Sequence, residues 1–193
     1  MLALPKENVS VAEYLEFDQQ FERKSEYFDG QIVLMAGASS NHNLIVMSAS
    51  FAFYGRLHGK GCFIFSSDMR VKMEATGSYA YPDLSIVCGQ PAYEESNPQT
   101  LLNPTVIIEI LSPSTEQHDR GRKLRHYRTL DSLQDYILIS QTNYHIEHFA
   151  RQPEDSWLLT DIIGRDASLT LTSLDCQIAL DEIYEQVQLS AES

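Results

Sequence analysis

The segment Thr105-Val106-Ile107-Ile108-Glu109-Ile110-Leu111 sets one carboxylate in the middle of an otherwise apolar run. A short continuous apolar run of this kind reads as a buried strand. A bare buried carboxylate is very costly, so it is normally paired, hydrogen-bonded or bound to metal. A second acid has a similar setting upstream, Asp83 in Tyr81-Pro82-Asp83-Leu84-Ser85-Ile86-Val87. Downstream, Lys123 falls on a predicted helix. Two carboxylates on neighbouring strands with a lysine are the chemistry of a metal-dependent phosphodiester hydrolase.

Around this pair the chain alternates between helical and strand-like patterns. Ser10-Val11-Ala12-Glu13 is a capping box that opens a first helix. Phe28-Asp29-Gly30-Gln31 predicts a two-residue hairpin turn between strands 24–28 and 31–35. A second helix follows Gly37-Ala38-Ser39-Ser40, with Leu44, Met47, Ser48 and Phe51 as its inner face, and stops near His58-Gly59. Strands are expected over 62–66, 69–73, 81–87 and 106–111, and 89–103 reads as a surface excursion. A third helix spans roughly 117–130, with Leu124 and Leu130 inward. Further strands fall at 135–140, 144–150, 157–163 and 168–172, before a short helix beginning at Leu180. With no repeat, low-complexity stretch or clear linker, the pattern is one α/β domain over 1–193: a mixed sheet flanked by helices.

Composition narrows the chemistry. The net charge of −13 argues against gripping nucleic acid by bulk electrostatics, because neutralising phosphates needs Lys and Arg. The best local basic patch, Arg120 to Arg128, holds five of the fourteen basic residues, and most of these read as a solvated helix face. No run approaches a membrane span, and residues 1–7 lack the character of a signal peptide. Cys62, Cys88 and Cys176 are odd in number, far apart and without zinc spacing. They read as separate core thiols in a reducing, cytoplasmic compartment.

If the Asp83 and Glu109 strands adjoin in suitable register, both carboxylates can reach one cation. Mg²⁺ favours one or two carboxylates, several waters and a phosphate oxygen, and the Ile110 carbonyl is a further candidate ligand. Asp119, Lys123 and Tyr127 stand at i, i+4 and i+8, one stripe on the third helix. An ammonium there can neutralise charge developing on phosphate or orient the attacking water. From spacing alone the plainer reading is an Asp119–Lys123 surface ion pair, with Tyr127 in the core. Glu26, before the hairpin turn, is either an extra acid for the same cleft or an exposed strand charge. His42, in the first turn of the second helix, is either a phosphate contact or base, or a capping residue. Arg70 is either a phosphate contact or, the plainer reading, a cross-strand ion pair. His145 and His148 point to opposite faces of a strand and make poor metal ligands. Ser112 and Ser114 lack the partners of a serine hydrolase.

Pro82-Asp83, Glu109-Ile110-Leu111-Ser112-Pro113-Ser114-Thr115, then Asp119, Arg120, Lys123, Tyr127 and Asp135-Tyr136-Ile137-Leu138 together resemble the putative restriction endonuclease family of the PD-(D/E)XK nuclease-like superfamily. Glu26-Tyr27-Phe28-Asp29-Gly30-Gln31-Ile32-Val33 and His42 match its N-terminal pattern, so the resemblance runs from about Val11 to Tyr184. It implies the restriction-endonuclease-like fold, a central mixed sheet with helices on both sides. Asp83 takes the place of the first metal-binding acid and Glu109 that of the second. The usual lysine position, two residues after the second acid, is Leu111, and the lysine is supplied instead by Lys123.

The expectation is a Mg²⁺- or Mn²⁺-dependent endonuclease acting on nucleic acid, DNA first, with Asp83, Glu109 and Lys123 as its working residues. Homodimerisation is expected through the strand-rich segment 135–172. Two alternatives stand beside it: a non-catalytic binding or regulatory protein on the same fold, and a hydrolase of small phosphate esters.

Overall fold

The computed structural model describes residues 8–21, 23–35 and 37–189. The signal-peptide reading of residues 1–7 lies outside them. Helix α1 (Val11–Gln20) starts at the expected box: Ser10 Oγ accepts from the Glu13 amide, and the Ser10 amide donates to the Glu13 carboxylate at 2.8 Å. Strands β1 (Ser25–Phe28) and β2 (Gln31–Leu34) close through Asp29 and Gly30. Both turn residues have positive φ, 51° and 79°, as a turn matched to the strand twist requires.

Helix α2 (Ser40–Leu57) is capped by the Ser39 hydroxyl and ends before Gly59, whose φ is +79°. There follow β3 (Cys62–Ser66), β4 (Arg70–Met73), β5 (Ser78–Ala80), β6 (Leu84–Cys88), β7 (Tyr93–Glu94), β8 (Asn97–Leu101) and β9 (Val106–Leu111). The helical crossover after β9 holds α3 (Glu116–His118), a π-turn (Asp119–Lys123) and α4 (Leu124–Tyr127). The rest comprises β10 (Asp135–Ser140), β11 (His145–Arg151), β12 (Trp157–Ile163), β13 (Ser168–Leu171), β14 (Cys176–Ala179) and α5 (Leu180–Ile183).

The strands form two six-stranded mixed sheets, ordered β2-β1-β5-β4-β8-β7 and β12-β11-β10-β9-β6-β3, and the hairpin β13-β14. In the second sheet β9 and β10 are parallel, joined by the crossover, and every other neighbouring pair is antiparallel. Strand β9 is buried throughout. Ile108 and Ile110 pack with Ile45, Ala49, Ala52, Phe53 and Leu57 of α2 and with α5, whereas Ile107 and Leu111 pack with Val71, Met73, Leu101 and Tyr127. The second face is therefore covered by the other sheet as well as by the crossover, not by helices alone.

Several sequence expectations need correction. The inner face of α2 is not Leu44, Met47 and Phe51. Ile45, Ala49, Ala52, Phe53 and Leu57 lie inward, with alanine's small side chain letting the helix sit close on the sheet, while Met47 and Phe51 face solvent. The excursion 89–103 contains β7 and β8, and β8 pairs in parallel with β4 and buries Thr100 and Leu101. Cys62 and Cys88 are not separate thiols. Antiparallel pairing of β3 with β6 sets them directly opposite and they form a disulfide, leaving Cys176 free. The argument for a reducing compartment loses those two residues. Among the described residues no helix is long and apolar enough to cross a membrane.

Candidate active site

Register decides the first contact. Leu84 lies opposite Ile108 in the β6–β9 ladder, so the next pair outward is Asp83 and Glu109. Directly opposed residues point to the same face of a sheet. Asp83 turns one oxygen, Oδ2, onto the Ile110 amide at 2.7 Å, and His42 Nε2 approaches the same oxygen at 3.2 Å. His42 arrives from the first turn of α2, which is tied to the β10–β11 turn by Ser39 and Asn41 hydrogen bonds to Gln141.

Glu109 Oε1 accepts from Lys123 Nζ at 2.9 Å and from the Tyr127 hydroxyl at 3.1 Å. Lys123 Nζ also lies 2.9 Å from Glu26 Oε1 and 3.5 Å from Asp119 Oδ1. Glu26 in turn accepts from the Tyr81 amide at 3.1 Å, so β1 holds both the lysine and the backbone two residues before Asp83. All eight residues drawn from the sequence, Glu26, His42, Asp83, Glu109, Ile110, Asp119, Lys123 and Tyr127, come together. The Asp119–Lys123 pair is buried, not a surface pair, and Glu26 is buried, not an exposed strand charge.

Two residues of the site escaped the sequence reading. His118 Nε2 stands 3.6 Å from Glu26 Oε2. On a regular helix His118 and Lys123 would be roughly 140° apart. The π-turn bonds the Leu124 amide back to the Asp119 carbonyl, and its wider turn stacks residues five apart. Tyr136 on β10 donates its buried hydroxyl to that same carbonyl at 3.1 Å. The one local hint was Gly121 in mid-helix, a poor helix former.

Electrostatics at this site are unbalanced: four carboxylates face one ammonium. Burial alone would depress the Lys123 ammonium, but Glu109, Glu26 and Asp119 outweigh it and hold its pKa well above the usual lysine value. Glu26 is pushed up by burial, yet Lys123 and the hydrogen bonds it accepts bring it below the ordinary range. Glu109 goes the other way. Burial raises its pKa, Lys123 opposes, and Asp119, Asp83 and Glu26 push it further, leaving it well above an ordinary glutamate. Burial likewise raises Asp119. Asp119 Oδ1, His118 Nε2 and His42 Nδ1 are buried without a hydrogen bond among the described residues. No hydrogen bond engages Asp83 Oδ1 or Glu109 Oε2 among those residues either. No group of three or more His, Cys, Asp or Glu side chains converges on a metal position there.

The basic residues nearby are mostly committed. Arg120 pairs with Glu116 and Glu147, and Arg125 with Asp29. His145 and His148 pair with Asp161 and Asp135. Arg70 pairs with Asp18 of α1 and donates to Thr100 on the adjoining β8.

Comparison with known proteins bears on the family and the fold. The family model Uma2, described as "Putative restriction endonuclease", matches residues 11–181. The chain is 38% identical over 180 residues to the uncharacterized protein slr1290 of Synechocystis sp., covering 93% of each. It is 35% identical over 161 residues to sll1609 of the same organism, covering 83% of this chain and 91% of that one. Among solved structures, one described as a putative nuclease belonging to DUF820, from Anabaena variabilis, superposes with a TM-score of 0.77 at 19% identity. The match covers 93% of this chain and 99% of the other, which shows a shared fold.

Proposed function

The chain belongs to the Uma2 family of putative restriction endonucleases, and from that membership and the site's geometry we propose a metal-dependent endonuclease that hydrolyses phosphodiester bonds in nucleic acid, DNA first. The family supports a nuclease-like role at the coarse level. The observation that carries the finer reading is the convergence of Asp83 and Glu109, opposed across β6 and β9, with an ammonium delivered from the crossover.

The donor set fits a hard divalent cation. Asp83 and Glu109 each keep one oxygen outside any hydrogen bond among the described residues, and the site carries more negative charge than Lys123 neutralises. Mg²⁺ is commonly held by one or two carboxylates and several waters, so three convergent side chains are not required. Asp83, Glu109 and the Ile110 carbonyl would hold it, with Mn²⁺ as the alternative ion. When bound, such an ion polarises phosphate and lowers the pKa of a bound water. Lys123 then faces the developing negative charge, Glu26 and Tyr127 aim the amine and the Glu109 carboxylate, and His42 flanks Asp83 where a phosphate oxygen would enter.

One observation favours the second reading, a non-catalytic binding protein. Lys123 is clasped by three carboxylates, and Arg120 and Arg125 are paired to acids, leaving Arg122 and Arg128 as the crossover cations without an acid partner among the described residues. One assay separates the readings. Supercoiled DNA, RNA and a small phosphodiester are incubated with Mg²⁺ or Mn²⁺ and wild-type or Asp83→Ala protein. Nicking of a polymer, lost in Asp83→Ala, supports the nuclease. Turnover of the small ester alone assigns the site to small substrates. Equal cleavage by both proteins, or none by either, removes the proposal.

A further inference from the structure

Helix α2 is apolar on two faces, and its own fold covers one of them. Ile45, Ala49, Ala52, Phe53 and Leu57 pack into the core. On the outer side Leu44, Met47, Phe51, Tyr54 and His58 succeed one another at spacings of three and four, the repeat that lays a single seam along a helix. Met47 is 69% exposed, Phe51 81% and Tyr54 58%. The periodicity that nominates Leu44, Met47 and Phe51 as an inner face is therefore a genuine apolar seam, turned away from this chain's core. A helix hydrophobic on both sides normally belongs in an interior.

Three observations bear on what covers it. Gly55 lies inside α2, and a Cβ built there would meet nothing within 4 Å. Glycine weakens a helix interior relative to alanine, and no contact among the described residues accounts for it. With Ser48 about two turns earlier, it leaves room on either side of Phe51 for a second backbone. The charge pattern is the second observation. The 18-residue helix contains no Asp or Glu and one Arg, in a chain of net charge −13. A second copy brings the same excess negative charge, so a seam without carboxylates is where two copies meet with least repulsion. Area is the third. Tyr54 and Phe63, the latter 47% exposed on outermost strand β3, line one pocket of about 250 Å³. At about 200 Å² per fully exposed large side chain, Met47, Phe51, Tyr54 and Phe63 present on the order of 500 Å² of apolar surface. A standard interface takes about 800 Å² per partner, polar rim included.

We propose that α2 is the interface of a two-fold dimer of this chain, packed antiparallel on the α2 of a second copy across Phe51 and Gly55. A two-fold axis closes the contact, since each copy offers the same patch. The seam shares its helix with His42, which touches Asp83, so a dimer built on α2 also holds the helix that carries one residue of the acid site.

Analytical ultracentrifugation of the full chain tests this without reference to catalysis. Wild type sediments as a dimer at micromolar concentration. Phe51→Glu and, independently, Met47→Lys sediment as monomers with unchanged circular dichroism and a melting midpoint that no longer depends on protein concentration, the dissociation constant rising about 100-fold or more. Gly55→Leu, which favours the helix of the isolated chain, also weakens the dimer. Leu159→Glu on β12, at the opposite edge of the sheet, leaves it intact. A monomeric wild type overturns the proposal, as does a dimer that Leu159→Glu dissociates and Phe51→Glu does not. Phe51-dependent binding of a monomeric wild type to phosphatidylcholine vesicles would give the seam to a lipid surface instead.

Discussion

Two buried charge clusters lie side by side in this protein, joined through Tyr81, and they are built on opposite terms. Around Arg70, one cation meets one carboxylate. Asp18 Oδ2 accepts from Arg70 at 2.8 Å and from the Tyr81 hydroxyl at 2.7 Å, while Oδ1 accepts from Ser25. The remaining guanidinium nitrogens donate to Thr100, and the Tyr79 ring lies 5.1 Å from the guanidinium carbon. Around Lys123, one cation pairs with three carboxylates while Asp83 lies beside Glu109, and three buried polar atoms have no hydrogen bond among the described residues. A balanced cluster gains little from a ligand. An unbalanced one is costly until a proton or cation arrives, which is why perturbed acids concentrate at functional sites. Burial alone does not separate the two; the charge count and the orphaned atoms do.

The contrast can be broken most sharply through activity. Asp83→Ala or Lys123→Met should lower nucleic-acid cleavage by about 10²- to 10³-fold or more, whereas Asp18→Asn should leave kcat within a few fold. Equal losses in a steady-state nicking assay would mean that the clusters are not functionally distinct. Next in size is Arg70→Met, which strands the Asp18 carboxylate. It should cost about 3–5 kcal/mol of unfolding free energy by urea titration and leave metal affinity unchanged. Mg²⁺ should then stabilise wild type by about 2.7 kcal/mol at a hundred times its dissociation constant. Glu109→Gln should abolish that gain, and its persistence in thermal melts would move the metal elsewhere.

The smallest effect concerns pH, and its sign differs between the two glutamates on Lys123. Glu109 has a raised folded pKa, so the native state holds a proton that the unfolded chain releases. Its contribution is full below about pH 4.5 and is lost as pH rises through the folded value, by up to about 1.4 kcal/mol per pH unit. Glu26 has a lowered folded pKa. Its contribution is present above about pH 4.5 and disappears as pH falls through the folded value. In chelator, Glu109→Gln should therefore gain stability relative to wild type from pH 5 to 8. Glu26→Gln should be destabilised at neutral pH and approach wild type in acid. Parallel pH profiles of the two variants would contradict this division of roles.

Much of this is legible in the amino-acid sequence. Ser10 and Glu13 announce a helix start, Asp29-Gly30 a tight hairpin, and residues 106–111 a buried strand; each depends on neighbours within a few positions. The acid pair was legible for a related reason. A carboxylate inside an apolar run must have a partner, and Asp83, Glu109 and Lys123 stand out against their surroundings. The π-turn was not legible, because one extra residue in a helical turn is selected by Tyr136 on a different strand. Glu26 was ambiguous for the same kind of reason: its environment comes from Tyr81, His118 and Lys123, far away in sequence.

The sequence by itself determined where the chain turns tightly, most segments that become helix or strand, though not β7 and β8, and that two buried acids need a partner. Those outcomes follow from short-range sterics, hydrophobic spacing and the cost of burying charge. The tertiary structure alone decided which apolar face of α2 meets the sheet, that Cys62 lies opposite Cys88, and that one lysine serves Glu26, Glu109 and Asp119 together. Each of those depends on strand order and register, through contacts between residues tens of positions apart that no local pattern encodes.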